Sequence, residues 1–132
     1  MVIDTSALLA VLLSEAEADA LVEAIVSAGT RQVGAPTLVE AAAVMAARKG
    51  PAGEVALDAL LQRLEIEVVP MTPEAAAFAR SAYARYGRGV GSPAVLNYGE
   101  CLAYGVARAA GEALLFKGDD FALTDVEPAT GR

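Results

Sequence analysis

The chain has 132 residues, 17 acidic and 10 basic side chains, one cysteine and no histidine. That length suits one domain, and 55% hydrophobic with 20% charged residues excludes a disordered chain. The absent imidazole and solitary thiol exclude Ser-His-Asp and Cys-His nucleophile sites, His-ligated zinc and an internal disulfide.

Met1-Val2-Ile3-Asp4 predicts a short buried strand ending in an acid, without the basic start of a secretory leader. Ser6 to Leu13 runs apolar with helical character, and Ser14-Glu15-Ala16-Glu17 fits a capping box that restarts a helix to about Ser27. Gln32 to Ala35 is a weaker strand. Pro36-Thr37 opens a helix to Lys49, with Thr37 and Glu40 at capping-box spacing. A helix from Ala52 to Leu64 precedes the strand Ile66 to Val69. Thr72-Pro73-Glu74 is a cap followed by proline in the first turn, starting a helix to about Tyr86. A Gly-rich loop, Gly87 to Pro93, leads to a helix from Asn97 to near Gly111, then the strand Ala113 to Phe116 and an acidic turn. Strands alternate with helices, which predicts an α/β domain: three layers, α/β/α, around a mostly parallel central sheet. No apolar run approaches the roughly 20 residues of a membrane-spanning helix. The lone Cys101, in an apolar run, reads as a small buried hydrophobe, and a reducing cytoplasm is the expected location.

Charge is unevenly distributed. Residues 1–74 hold eleven acids and four bases, whereas 75–99 hold no acid but Arg80, Arg85 and Arg88, with Tyr83, Tyr86 and Tyr98 among them. This stretch reads either as a solvated helix face and loop or as a lip that meets phosphates and stacks bases. Lys117 reads equally as a phosphate contact or a strand-end surface charge.

In a parallel sheet, functional groups gather at the carboxyl ends of the strands. Asp4, Glu40, Glu100 and Asp119 or Asp120 belong to four segments that could meet there. Clustered carboxylates raise one another's pKa, and a divalent cation relieves that. Oxygen-only ligands suit Mg²⁺ or Mn²⁺, whose natural chemistry is phosphoryl transfer, the ion orienting a water and neutralising charge on the departing oxygen. Each acid also has an ordinary alternative: Glu40 and Glu100 as capping-box partners of Thr37 and Asn97, and Asp119 or Asp120 as turn residues.

Met1-Val2-Ile3-Asp4-Thr5-Ser6-Ala7-Leu8 resembles the opening of PIN-domain ribonucleases, specifically the VapC toxins of bacterial toxin–antitoxin pairs. Pro36 to Glu40, Tyr83 to Gly89 with Leu96 to Cys101, and Leu114 to Phe121 with Thr124-Asp125 resemble the family's later blocks, in order. The resemblance implies a single PIN domain over residues 1–132 and a Mg²⁺-dependent endoribonuclease, with Mn²⁺ as the other candidate ion. It implies a catalytic quartet of Asp4, Glu40, Glu100 and Asp120, with Asp119 the less favoured fourth acid and with Asp4 and Glu100 as metal ligands. Thr5 or Ser6 and Asn97 would orient ligands or water. It further implies single-stranded or looped RNA as substrate, a homodimer, and a cognate VapB-like antitoxin lying in a groove near the acids. Leu8, Leu9, Leu12 and Leu13 exceed what one core-facing stripe needs, so some should line that groove or the dimer interface.

Two departures stand out. The family normally has Asp where this chain has Glu100, and Val90-Gly91-Ser92 replaces a stretch that is often basic or contains His. Glu100 opens an alternative: a catalytically weakened protein that mainly binds its antitoxin. A phospho-acceptor receiver domain lacks its central Asp, because the Ile66–Val69 strand runs into Pro70-Met71-Thr72. A haloacid-dehalogenase-like phosphatase lacks its second Asp, because Ser6 stands there.

Overall fold

A computed structural model of the chain describes residues 1–129; the last three residues of the expected domain, 130–132, lie outside the described residues. The elements are β1 (Val2–Ile3), α1 (Thr5–Leu12), α2 (Ala18–Ser27), β2 (Gln32–Gly34), α3 (Ala35–Lys49), α4 (Pro51–Arg63), β3 (Glu67–Val69), α5 (Pro73–Tyr86), α6 (Tyr98–Ala110) and β4 (Leu114–Leu115). The four strands form one parallel sheet in the order β3-β2-β1-β4. Val2 pairs with Gln32 on one side and Leu114 on the other. Parallel neighbours need long crossovers, and each is supplied by a pair of helices.

Side chains alternate across a strand, so Val2 and Ile3 point to opposite faces. Ile3, Val33 and Leu115 join a core with Leu8, Leu21, Ile25, Leu57 and Leu60. Val2 and Leu114 join a second core with Ala75, Ala82, Tyr104, Val106 and Phe121. Two cores on opposite faces of one sheet make the expected α/β/α sandwich. On the second face α5 and α6 pack closely because Gly105 carries no side chain, and a Cβ there would strike the Ala75 carbonyl and Ala79. No helix among the described residues is long and apolar enough to cross a membrane.

Several starts differ from the sequence reading. Asp4 caps α1, which begins at Thr5. No capping box forms at Ser14: its φ is +53° and α2 begins only at Ala18, with no side-chain cap from Glu17. A capping residue needs extended backbone, and Ser14 instead turns the chain between two helices. Thr37 is likewise not a cap, because α3 begins at Ala35 behind Gly34 and leaves Thr37 buried inside the first turn. Thr72 does cap α5, accepting a hydrogen bond from the Ala75 amide at 3.1 Å.

Because every strand runs the same way, their carboxyl ends share one edge. The chain leaves β1 toward β2 and β3 and later returns to β1's other side as β4, so the sheet's switch point lies between β1 and β4.

Candidate functional site

Asp4 sits at that switch point, only 2% exposed. Its Oδ2 accepts hydrogen bonds from the Ser6 amide (3.0 Å) and the Ser6 hydroxyl (2.6 Å). An Asp cap is worth about 1 kcal/mol of helix stability, so Asp4 has a structural role beside any chemical one. Ser6 Oγ in turn accepts the Lys117 amide at 3.0 Å, which ties the end of β1 to the chain leaving β4. Burial raises the Asp4 carboxyl above its ordinary range; the Ser6 bonds oppose this and the charge of Glu40 adds to it.

Glu40 reaches the same edge from the second turn of α3. Thr5, buried at the start of α1, donates its hydroxyl to Glu40 Oε1 at 2.7 Å. The approach depends on Gly99 in the first turn of α6, where a Cβ would come within 2.5 Å of both Glu40 oxygens. Sequence reasoning missed Gly99. The only signal was a glycine in the first turn of a well-capped helix, and its meaning comes from a partner 59 positions away in the chain.

Glu100 completes the capping box expected with Asn97. Its Oε1 accepts the Asn97 amide at 2.9 Å, and Asn97 Oδ1 accepts the Glu100 amide at 2.8 Å. The box engages one carboxylate oxygen. Asp120 lies within hydrogen-bonding reach of the Glu100 side chain; burial, that contact and the nearby charges of Asp120 and Asp4 push Glu100 up to about 7. Asp119 instead helps turn the chain, its carbonyl accepting the Ala122 amide at 3.0 Å.

A cavity of about 200 Å³ is lined by Asp4, Thr5, Ser6, Leu9, Glu40, Asn97 and Glu100. Asp120 is linked to it through Glu100. Three acids from three segments thus line one small space, with a fourth against one of them. Among the described residues no three acidic or cysteine side chains converge on one point as ligands of an ion. The available donors are carboxylate, hydroxyl and amide oxygens, the set that suits a hard divalent cation. Asp4 and Glu100 are also the carboxyls that burial and neighbouring acids, Glu40 for Asp4 and Asp120 with Asp4 for Glu100, drive toward protonation, a tension that such a cation relieves.

The arginines and tyrosines of the basic stretch do not line this cavity. Arg80, Tyr83 and Tyr98 line a separate trough between α5 and α6, with Met71 and Leu102. Arg85 stacks on Tyr86 at 4.7 Å and lies 3.5 Å from Asp125. The Lys117 ammonium pairs with Glu15 and lies 3.7 Å from Glu17, which ties β4's exit to the α1–α2 junction. Of the four leucines singled out above, Leu8 is fully buried, while Leu9, Leu12 and Leu13 are half-buried.

A carboxyl held near 7 in the folded chain but at its ordinary 4.5 when unfolded makes the folded state bind more protons between those values. Stability contributed by Glu100 therefore falls as pH rises through that window. Glu100→Gln removes the loss and keeps a side chain able to complete the capping box. In EDTA, the variant's melting temperature should gain on the wild type's more at about pH 8 than at about pH 5; equal differences at both would contradict the assigned shift.

Comparison with known proteins places the chain in a family. The family model for the PIN domain matches residues 1–127. The VapC ribonuclease Mb0625 of Mycobacterium bovis and ribonuclease VapC28 of Mycobacterium tuberculosis are each 42% identical to this chain over 132 residues, covering all of it and 99% of the relative. A ribonuclease VapC of Mycolicibacterium smegmatis is 43% identical over 126 residues, covering 96% of this chain and 97% of its own. The crystal structure of Mycobacterium tuberculosis VapC20, described as a sarcin–ricin loop cleaving toxin, shares the fold with a TM-score of 0.74 over 95% of each chain, at 16% identity. Sequence and fold agree over nearly the whole length, and the chain belongs to the VapC ribonucleases of the PIN-domain family.

Proposed function

We propose that this protein is the toxin of a toxin–antitoxin pair, a divalent-cation-dependent endoribonuclease whose site is the carboxylate set Asp4, Glu40, Glu100 and Asp120. The observation that carries the proposal is the convergence of Asp4, Glu40 and Glu100 on one cavity, with Asp120 against Glu100. Asp4 and Glu100 would hold Mg²⁺ or Mn²⁺. When bound, the ion supplies positive charge against the phosphate and Lewis acidity toward water.

The protein's own groups do the rest. Ser6 fixes the orientation of Asp4 through two bonds to Oδ2. Thr5 holds Glu40 by Oε1, leaving Oε2 to take the proton of the attacking water as its oxygen bonds to phosphorus and the ester bond to the ribose oxygen breaks, that oxygen taking a proton from solvent. Asn97 holds Glu100 in register through the capping box. Single-stranded or looped RNA fits the reading, because a splayed strand brings one phosphate into a small cavity while its bases remain free to stack outside.

The partners follow from the same reading. A VapB-like antitoxin segment would cover the half-buried Leu9, Leu12 and Leu13, the first of which lines the cavity itself. The exposed Val39, Tyr83 and Tyr98 offer apolar surface for a homodimer. The setting is the cytoplasm, where the RNA is.

One observation supports a second reading. Glu100 Oε1 is already engaged by the Asn97 amide, so a longer side chain is partly spent on capping. That favours a weakened nuclease that mainly binds its antitoxin, and Glu100→Asp separates the two: a large gain in cleavage supports the weakened site, and little change or a loss supports a site built around Glu100.

Antitoxin-free protein should cut total RNA with Mg²⁺ or Mn²⁺, and EDTA or Asp4→Asn should abolish the cutting. Cleavage that survives both would overturn the proposal. Gly99→Ala tests the approach of Glu40. The added methyl meets the tip of a flexible side chain, so the fold should persist with a melting temperature within a few degrees of wild type. Cleavage should fall by roughly 10-fold or more as Glu40 is displaced from Thr5; wild-type cleavage by a folded Gly99→Ala would place Glu40 outside the reaction.

A further inference from the structure

We propose that Asp125 and Tyr104 form a latch that positions Asp120 against Glu100, so that Asp125 is a positioning residue for the carboxylate site. This rests on the cation-dependent reading above.

Past β4, residues 117–129 contain no helix and join the sheet through a single bridge, Pro128 with Leu114, yet Asp120 lies earlier in this segment, within reach of Glu100 in α6. Asp125 uses both carboxylate oxygens to hold the segment down. Oδ1 accepts the Tyr104 hydroxyl at 2.6 Å, and Oδ2 accepts Arg108 Nη1 at 2.9 Å. The Tyr104 hydroxyl also accepts Arg108 Nη1 at 3.0 Å, closing a three-residue network. The Tyr104 ring is 1% exposed, so the network stands on a fixed post in the core.

That post is close to the site along the helix. Tyr104 follows Glu100 by four residues in α6, which puts both side chains on one face, one turn apart. Between Asp120 and Asp125 the chain is stiffened. Phe121 is buried against Phe116 with ring centroids 4.9 Å apart, and Thr124 Oγ1 donates to the Phe121 carbonyl at 2.8 Å. The segment therefore meets α6 through Asp120 at Glu100 and through Asp125 at Tyr104 and Arg108, with a braced turn between them. Exposed ion pairs such as Arg85 with Asp125 hold little by themselves. The short bond to a core tyrosine fixes direction, and direction is what a carboxylate beside an ion site requires.

The test is Mn²⁺ binding, measured by calorimetry on the full antitoxin-free chain, beside thermal melting and RNA binding in EDTA. Tyr104→Phe keeps the buried ring and removes only the hydroxyl. Asp125→Ala removes the acceptor, and Asp125→Asn keeps an oxygen for Tyr104. Tyr104→Phe and Asp125→Ala should each weaken Mn²⁺ binding by about 10-fold or more. Asp125→Asn should stay closer to wild type, and affinity for a short single-stranded RNA should not change. A merely structural role would lower the melting temperature without moving Mn²⁺ affinity. If the wild type binds Mn²⁺ and both variants bind it equally tightly, the latch is overturned while the carboxylate reading stands. If the wild type binds no Mn²⁺, both fall.

Discussion

A carboxylate taken out of water at the end of a central strand must be compensated, and the site is organised around that need. The effective cost of burying an ionised group is several kcal/mol. Two hydrogen bonds from Ser6 to Asp4 offset part of it. The neighbouring acids act in the opposite direction. Glu40 raises the Asp4 carboxyl, and Asp120 and Asp4 raise Glu100. Such a set must either take up protons or receive a cation. The all-oxygen donors, the capped helix starts and the hydroxyls of Thr5 and Ser6 fit the second solution.

Topology explains why four distant segments meet. With all strands parallel, β1, β2 and β4 deliver their following residues to one edge, and α6 brings its first turn to the same edge. Placement is then refined by single contacts. Gly99 lets Glu40 lie against α6, and Thr5 keeps it there. Ser6 couples the Asp4 carboxylate to the Lys117 amide, so the ends of β1 and β4 are tied at the site itself. Several of these residues serve the fold and the site together: Asp4 and Asn97 are helix caps as well as members of the cavity wall.

Much of this was legible in the sequence where the signal is local. Thr72-Pro73 and Asn97-x-x-Glu100 have the spacing of caps and form them. The apolar strands alternate with helices, and the sheet is parallel as that alternation requires. The same local pattern misled at Ser14 and at Thr37. In both places the spacing was right but the backbone was not extended at the would-be cap: Ser14 has a positive φ, and Thr37 lies inside a helix begun by Ala35-Pro36. Long-range roles were the least legible. Lys117 pairs with acids at the α1–α2 junction, Gly99 makes room for Glu40, and Tyr104 anchors Asp125. Each depends on which surfaces the fold brings together, and no periodicity within a single element records that.

The central claim is that Asp4 and Glu100 belong to one cation site, and calorimetric titration of the antitoxin-free chain with Mn²⁺, beside Asp4→Asn and Glu100→Gln, tests it most directly. The wild type should bind saturably, and both substitutions should abolish or severely weaken binding while the chains remain folded. Undiminished binding by folded Asp4→Asn and Glu100→Gln, or no binding by the wild type at millimolar Mn²⁺, would contradict it.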